Sequence, residues 1–396
     1  MGLTVLVNAG PWLAVPPAGY GGIENVVATL VPQLRARGHR VVLATVGDST
    51  LSADRVVTAF PTGQFAHLAG PYNQMMGIAH AHMQAVLAEL RDDPAGAGPI
   101  DLVHDHLEVV GPAVLAAAGE DAPPTLQTLH WDLHKHPDFY GRFDGRGRVF
   151  FAGVSASQLA RAPEILRRQT VGHVPLATPL PALPEGVPRQ PGEHLLTLGR
   201  FTRVKGYDTA ARICRDLGRP LVMAGPVAGW TSAEDLDAAL GRDRATTMSF
   251  ADVAHFVDDV RPLVDGDLIR WVGSVGGTAK DELLGTARAV LFPLRWEEPG
   301  GTAVVEALAA GVPVVALRRG VLPSLIDHGV TGFLADTEAE FATYVGRVDE
   351  LDRVACRKVA EERFSPAAMA EGYERLYAEV LARVSVTHAA VTRRRR

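Results

Sequence analysis

The sequence predicts an α/β protein made of two Rossmann-like halves in succession. Three observations carry that expectation. Short β-branched runs alternate with helical stretches along the whole chain, the pattern of parallel βαβ units. Six prolines crowd the stretch from Pro175 to Pro191, where hydrophobic periodicity fades, and mark a linker or edge loop. A chain of 396 residues is also too long for one ordinary core. The expected domains are residues 1–180 and 181–365, followed by a terminal segment, 366–396.

In the first half, "TVLVNA" (4–9) reads as a strand that leads through a glycine-rich loop into the helical "IENVVATLVPQLRARG". Gly38 closes that helix, and Pro32 inside it is expected to kink it. Further strands are expected at "HRVVLATV" (39–46), "DLVHDH" (101–106), "TLQTLH" (125–130) and "VFFAGVS" (149–155). A second series follows at "HLLTLGR" (194–200), "PLVMAG" (220–225), "IRWVGSV" (269–275), "AVLFPL" (289–294) and "VPVVAL" (312–317). Ser365-Pro366 supplies an N-cap and a first helical position for a last amphipathic helix. Ligands of such sheets bind at the carboxyl ends of strands, so the loops there should wall a cleft between the halves. No GxGxxG follows either first strand, which argues against a simple NAD-linked dehydrogenase.

Composition narrows the class. With 47% hydrophobic and 21% charged residues, the chain is that of a soluble globular protein. A net charge of −6, and 12 Lys+Arg against 15 Asp+Glu in residues 1–180, offer neither a nucleic-acid footprint nor a basic membrane-docking face. There is no run of 18 apolar residues and no charged leader ahead of "LTVLV", so a cytoplasmic protein is expected. Cys214 and Cys356 fall in helical segments and read as small buried hydrophobes. Arg393–Arg396 reads as a solvated tail. Of 39 basic residues only four are lysine, namely Lys135, Lys205, Lys280 and Lys358. In so arginine-rich a chain, each lysine carries some information.

The stretch "WEEPGGTAVVEALAAGVPVV" (296–315) holds an acid, Glu306, inside an apolar run. After the strand, the loop must turn at Gly300-Gly301 into a helix starting near Thr302. That helix N-terminus offers free N–H groups and a partial positive charge to a phosphate. Thr302 and Glu306 share one helix face, roughly 6 Å apart, about the reach from a diphosphate to ribose hydroxyls. A carboxylate accepting from a vicinal diol accounts for the acid; the other reading is that Glu306 faces water.

"LGRFTRVKG" (198–206) holds Arg200 and Lys205 at a strand's carboxyl end, where two cations can neutralise a diphosphate or lie exposed on a loop. "PPAGYGGIENVV" (16–27) is a second glycine-rich entry to a helix, and Gly21-Gly22 allow backbone to approach a ligand or simply make a tight turn. Ten of the fourteen histidines precede residue 180. His104 and His106 alternate onto one strand face, and "HWDLHKH" (130–136) adds more. Without an HExxH or a Cys/His pairing, no metal site is expected. Instead these groups read as lining a polar cleft, with Trp131, Phe139 and Tyr140 offering flat surfaces for an acceptor.

Taken together and in order, "YGGIENVV", "DLVHDH", "TLH", "LGRFTRVKG", "LVMAG", "FPLRWEEPGGTAVVEALAAGVPVVAL" and "GVTGFL" resemble the retaining glycosyltransferases of family 4, and the resemblance covers most of the chain. It implies the GT-B fold, with a C-terminal helix that crosses back to complete the N-terminal domain. It also implies an N-terminal acceptor-binding domain and a C-terminal donor-binding one. The glutamate-x7-glutamate signature falls on Glu298 and Glu306. By resemblance Glu306 binds the donor ribose, Glu298 lies near the transferred sugar, and Arg200 and Lys205 bind the diphosphate. His130 sits beside the donor sugar, and Gly21-Gly22 face both phosphate and acceptor. Gly199, Gly225, Val275, Gly300, Gly301, Thr302 and Ala303 complete the donor set; Gly22, Glu24, His106, His130 and Trp131 form the acceptor set. Glu298, Lys205, Arg200 and His130 are the expected catalytic residues.

The implied activity is sugar transfer from a nucleoside-diphosphate sugar, UDP- or GDP-linked, to an acceptor hydroxyl, with no metal and no further cofactor. A glycogen-synthase-like chain extender and a non-catalytic nucleotide-sugar-binding protein are the alternatives. The GC-rich style of the composition points to a natural product, a glycan or a glycolipid as acceptor. Departures from the family pattern include Gly300, where an aromatic is common, Ser324 after Pro323, and "HVPLAT" (173–178) without the usual turn. Residues 229–262 read as an expansion with no assigned role.

Overall fold

The computed structural model describes residues 2–18, 21–69, 71–92, 98–181 and 190–394, with side chains as far as residue 386. Gly19 and Tyr20 of the first glycine-rich loop, Pro184 and Pro188 of the proline-rich stretch, and Arg395–Arg396 lie outside the described residues. The chain forms two compact units, one of Met1–Thr178 with Pro366–Arg396 and one of Pro179–Ser365.

The first unit is a parallel sheet of β1 (Thr4–Asn8), β2 (Arg40–Thr45), β3 (Arg55–Thr58), β4 (Leu102–Asp105), β5 (Thr125–Leu129), β6 (Val149–Gly153) and β7 (Thr170–His173). Their order is β3-β2-β1-β4-β5-β6-β7. The central strands are buried on both faces, as crossover helices require. Helix α1 (Gly22–Ala36) follows β1 and turns Val26, Val27, Leu30, Val31 and Leu34 inward, a stripe of helical period. It continues through Pro32, and Gly38 closes it with a backbone hydrogen bond to Arg35 O. The other face is covered by α2 (Tyr72–Asp92) and α3 (Val110–Ala118).

The second unit repeats the plan with β8 (Leu195–Leu198), β9 (Leu221–Ala224), β10 (Ile269–Trp271), β11 (Val290–Phe292), β12 (Val314–Leu317) and β13 (Gly332–Ala335). The order is β10-β9-β8-β11-β12-β13, all parallel. Its helices include α4 (Tyr207–Asp216), α5 (Ala233–Arg242), α6 (Gly277–Gly285), α7 (Thr302–Ala309) and α8 (Arg353–Arg363). Cys214 and Cys356 are free and fully buried in α4 and α8. The 229–262 expansion is folded into the core: Leu236, Leu240, Val253, Phe256 and Val260 pack with Phe201 and Tyr207.

Each unit reverses its strand order once, between β1 and β4 and between β8 and β11. In open α/β sheets such switch points are where the loops at the carboxyl edge place a ligand.

The last helix, α9 (Pro366–Arg394), begins at the expected Pro366 and belongs to the first unit. Met369, Ala370, Tyr373, Tyr377 and Val380 pack against α1 and the sheet. Glu374 accepts hydrogen bonds from Arg37 Nε at 2.7 Å and pairs with His39 Nε2 at 2.8 Å, tying α9 to the end of α1. Tyr373 is wholly buried. Tyr373→Ala should therefore destabilise the first unit by about 3 kcal/mol, read as a lower denaturation midpoint; an unchanged midpoint would show that α9 adds little.

Candidate functional site

In the second unit the two switch-point loops are locked together. Gly206, at φ 72°, takes a left-handed conformation that favours glycine. A β-carbon there would stand 2.2 Å from Pro293 O, in the loop after β11. Close by, Arg295 N donates to Val204 O at 2.8 Å, and Arg295 Nη1 to Arg203 O at 3.1 Å. This contact between loops puts Lys205 onto Glu298, with Nζ 2.6 Å from Oε2. Lys205 also lies over the Trp296 ring, 5.1 Å from its centroid. The other oxygen of Glu298, Oε1, accepts from Gly301 N at 3.3 Å.

Gly301, at φ 64°, leads into α7 and has no side chain to cap it. Its own bareness serves packing rather than a ligand, since a β-carbon would meet Leu325 Cδ1 at 2.5 Å. Gly300 beside it is buried. The first N–H groups of α7, at Thr302 and Ala303, lie on half-buried residues, as a helix N-terminus that greets an anion would have them. One turn on, Glu306 is half-buried and does not merely face water: Lys280 Nζ on α6 donates to its Oε1 at 2.6 Å. Val275, just ahead of α6, packs half-buried on the same core.

One helix fixes both elements from behind. Arg353 of α8 donates to Gly285 O and Ala287 O, at the end of α6, and Arg357 to Ala309 O at the end of α7. Cations at helix C-termini satisfy the last carbonyls and oppose the dipole.

The remaining donor-set residues are placed less tightly. Gly199 and Gly225 end the neighbouring strands β8 and β9, where Gly225 O accepts from Trp271 Nε1 at 2.9 Å. Arg200 is not gathered into the Lys205–Glu298 pair. Its side chain is 54% exposed, and Asp252 of the 229–262 segment is 4.0 Å away, a separation at which a surface pair adds little. The same segment offers Asp259 to Arg203 at 2.8 Å, so the expansion braces the basic loop.

The first unit gathers a different kind of site. Gly21 is buried beside Pro17, whereas Gly22 is exposed with open space where a side chain would be. Glu24, in the first turn of α1, is buried, and burial pushes its carboxyl up to about 7. After β4, His106 Nδ1 and His130 Nε2 share a hydrogen bond of 2.7 Å, so one of these nitrogens carries the proton. Burial holds His130 down to about 4 and His106 well below its ordinary value.

The expected cleft lining is corrected in three places. His104 does not face a cleft. It is wholly buried, with Nδ1 2.8 Å from Tyr377 OH on α9 and Nε2 2.8 Å from Thr128 Oγ1. Tyr140 fills the core instead of presenting a flat surface. Trp131 is exposed, but Lys135 Nζ caps its ring at 4.1 Å while pairing with Glu108 at 3.0 Å. His106 itself is only 1% exposed. Beneath these groups run His82, Asn8 and Asp105: His82 Nε2 lies 2.7 Å from Asn8 Oδ1, and Asn8 Nδ2 donates to Asp105 Oδ1 at 2.7 Å. Lys280, Trp296, Asn8, Asp105 and His82 were all missed from sequence. The scarcity of lysine was the one available signal, and it applied to Lys280 alone. Among the described residues, no group of three or more His, Cys, Asp or Glu is arranged to hold a metal, and no helix is long and apolar enough to cross a membrane.

The chain is similar to known proteins along most of its length. Residues 263–361 match the family described as glycosyl transferases group 1, and residues 20–166 match the one described as glycosyltransferase family 4. The two matches take in more than half of the chain, and the protein belongs to these glycosyltransferases, enzymes that transfer a sugar from a nucleotide sugar. Its fold is GT-B. It is similar to the D-inositol 3-phosphate glycosyltransferase of Pseudarthrobacter chlorophenolicus, 25% identical over 355 residues, which covers 80% of this chain and 78% of that protein. Among solved structures it resembles AviGT4, a glycosyltransferase involved in avilamycin A biosynthesis, with 25% identity, a TM-score of 0.59, and 96% and 98% of the two chains covered. Anabaena Alr3699/HepE in complex with UDP-glucose shares the fold at 16% identity and a TM-score of 0.59, over 96% and 99% of the two chains.

The buried ionisable groups of the first unit predict its response to acid. His82, His104 and His130 are held at about 4, 3 and 4, and His106 is also lowered, all by burial. Depressed histidines contribute stability that is present above about 6.5 and lost as pH falls toward 4. Asp105 and Glu24, both raised by burial to about 7, act in the opposite sense: their contribution is present below about 4 and lost as pH rises through 7. Four groups outweigh two, so the first unit should lose stability between pH 6.5 and 4.5. Asp105→Asn copies the neutral acid, and its stability relative to wild type should rise from pH 4 to pH 7. Denaturation midpoints across that range are the measurement, and a flat difference would mean Asp105 titrates normally.

Proposed function

We propose that the protein is a retaining glycosyltransferase, working in the cytoplasm without a metal ion, whose donor is a UDP- or GDP-linked sugar. One observation carries the reading. At the switch point of the second unit, Lys205 and Glu298 are paired beside the uncapped start of α7, with Glu306 one turn on. Lys205, Arg200 and the N–H groups of Thr302 and Ala303 supply positive charge for the diphosphate, the task a metal performs in other transferases. Gly199, Gly225, Val275 and Gly300 complete the donor surface, and Glu306 accepts from the ribose diol.

In this mechanism the acceptor hydroxyl attacks the anomeric carbon from the face that the diphosphate leaves. The new C–O bond forms as the bond to the phosphate oxygen breaks, and that oxygen takes the hydroxyl proton. Lys205 and Arg200 stabilise the charge that develops on the phosphate. Glu298 holds the Lys205 ammonium in place and lies at the sugar end. The first unit supplies the acceptor surface at the exposed Gly22 and at His130, which burial keeps neutral. The acceptor is a natural product, a glycan or a glycolipid.

A thermal-shift screen of UDP-, GDP-, dTDP- and ADP-sugars identifies the donor through ligand-linked stability. D-inositol 3-phosphate belongs in the acceptor panel that follows, because it is named in a relative. With that donor, Lys205→Ala and Glu298→Ala should each lower turnover about 100-fold or more. The product should keep the donor's anomeric configuration by NMR, and a chelator should leave the rate unchanged. Near-wild-type rates in both variants, or an inverted product, would sink the assignment.

A further inference from the structure

Lys280 is a charged group close to the proposed donor residues to which the mechanism gives no role. Its Nζ lies 2.6 Å from Glu306 Oε1, with the two side chains 29% and 21% exposed. The same 2.6 Å separates Lys205 from Glu298, so both glutamates of the signature carry a lysine partner in a chain with four lysines among 39 basic residues. The other two lysines pair more loosely, Lys135 with Glu108 at 3.0 Å and Lys358 with Glu362 at 3.9 Å.

Chemistry separates lysine from arginine here. A guanidinium is a planar fork that engages both carboxylate oxygens, whereas an ammonium is a point donor that occupies one. With Lys280 on Oε1, the Oε2 of Glu306 has no protein partner among the described residues. The position is also fixed from behind, because α8 ties down the ends of α6 and α7 through Arg353 and Arg357. Glu306 sits one turn beyond a helix N-terminus suited to an anion, where an unneutralised carboxylate would repel the ligand's phosphates.

We propose that Lys280 is a positioning residue for the ribose of the donor. It holds the Glu306 carboxylate by one oxygen, offsets its charge against the diphosphate, and leaves the second oxygen to the 2′,3′-diol. The proposal rests on the reading of Glu306 as a ribose ligand. It differs from a latch, in which the ribose would have to displace Lys280.

Isothermal titration of the full chain with UDP, GDP and ADP, and then with the 2′,3′-dideoxy analogue of the tightest binder, tests it. Lys280→Ala and Lys280→Gln should bind the ribonucleotide about tenfold more weakly than wild type. Lys280→Arg, which keeps the charge but offers a fork to both oxygens, should not restore affinity. Lys280→Arg should bind the dideoxy analogue as wild type does. Lys280→Ala and Lys280→Gln, which leave the Glu306 charge unopposed, should lose less on it than on the ribonucleotide, and unfolding midpoints verify that all three fold. Equal losses on both ligands would assign Lys280 to the phosphates or to the fold and overturn the proposal. Unchanged or tighter ribonucleotide binding overturns it too, the latter in favour of a latch, as does wild-type affinity in Lys280→Arg. Wild-type protein that binds no nucleoside diphosphate would instead overturn the function proposed above, and wild type that binds the dideoxy analogue equally well would overturn the role of Glu306.

Discussion

The candidate donor site depends on one close approach of backbone to backbone. The loops after β8 and β11 come from strands that adjoin in the sheet but lie far apart in sequence, and Gly206 lets one rest on the carbonyl of Pro293 in the other. Any side chain at 206 would meet that carbonyl, and the left-handed backbone there would be strained as well. With the loops joined, the charge of Lys205 is met by Glu298, a half-buried carboxylate that would otherwise be costly to hold. The switch point of the sheet thus becomes a place where cations, helix N–H groups and carboxylates coexist at fixed positions.

Fixation from behind matters as much as contact in front. Arg353 and Arg357 reach from a single helix to the last carbonyls of the two helices that carry Lys280 and Glu306. The 229–262 segment does the corresponding work for the basic loop, with Asp259 on Arg203 and an apolar face in the core. A group aimed at a ligand is useful only if its own rotamer is held, and in this unit the holding residues come from elements distant in sequence.

The first unit solves a different problem. It buries histidines and an aspartate at the carboxyl edge of its central strands, which is tolerable when they are neutral and hydrogen-bonded. Tyr377 and Thr128 occupy both nitrogens of His104, and Asn8 links His82 to Asp105. The C-terminal helix therefore completes a polar interior as well as an apolar one, and the His106–His130 pair rests on that support.

Local pattern and chain order were enough to show the α/β class, two doubly wound units, the family, and the helix that begins at Pro366, because period-two and period-3.6 hydrophobicity, proline clusters and ordered motifs are written along the chain. The strand run from β8 to β12 was legible for the same reason. The edge strands β3 and β7 were not. Each is four residues long and half-exposed, so neither leaves a hydrophobic run to read. Glu306 stood out as an acid among apolar residues, but its partner Lys280 lies 26 positions away on another helix. His104 and His106 looked alike as alternating residues on a strand, yet one meets the tyrosines of α9 and the other meets His130. Sequence alone thus determined which elements form and which residue types could do chemistry. Only the tertiary structure decided which of those groups face each other, because that is set by strand order, loop nesting and burial, which bring together residues that no local pattern connects.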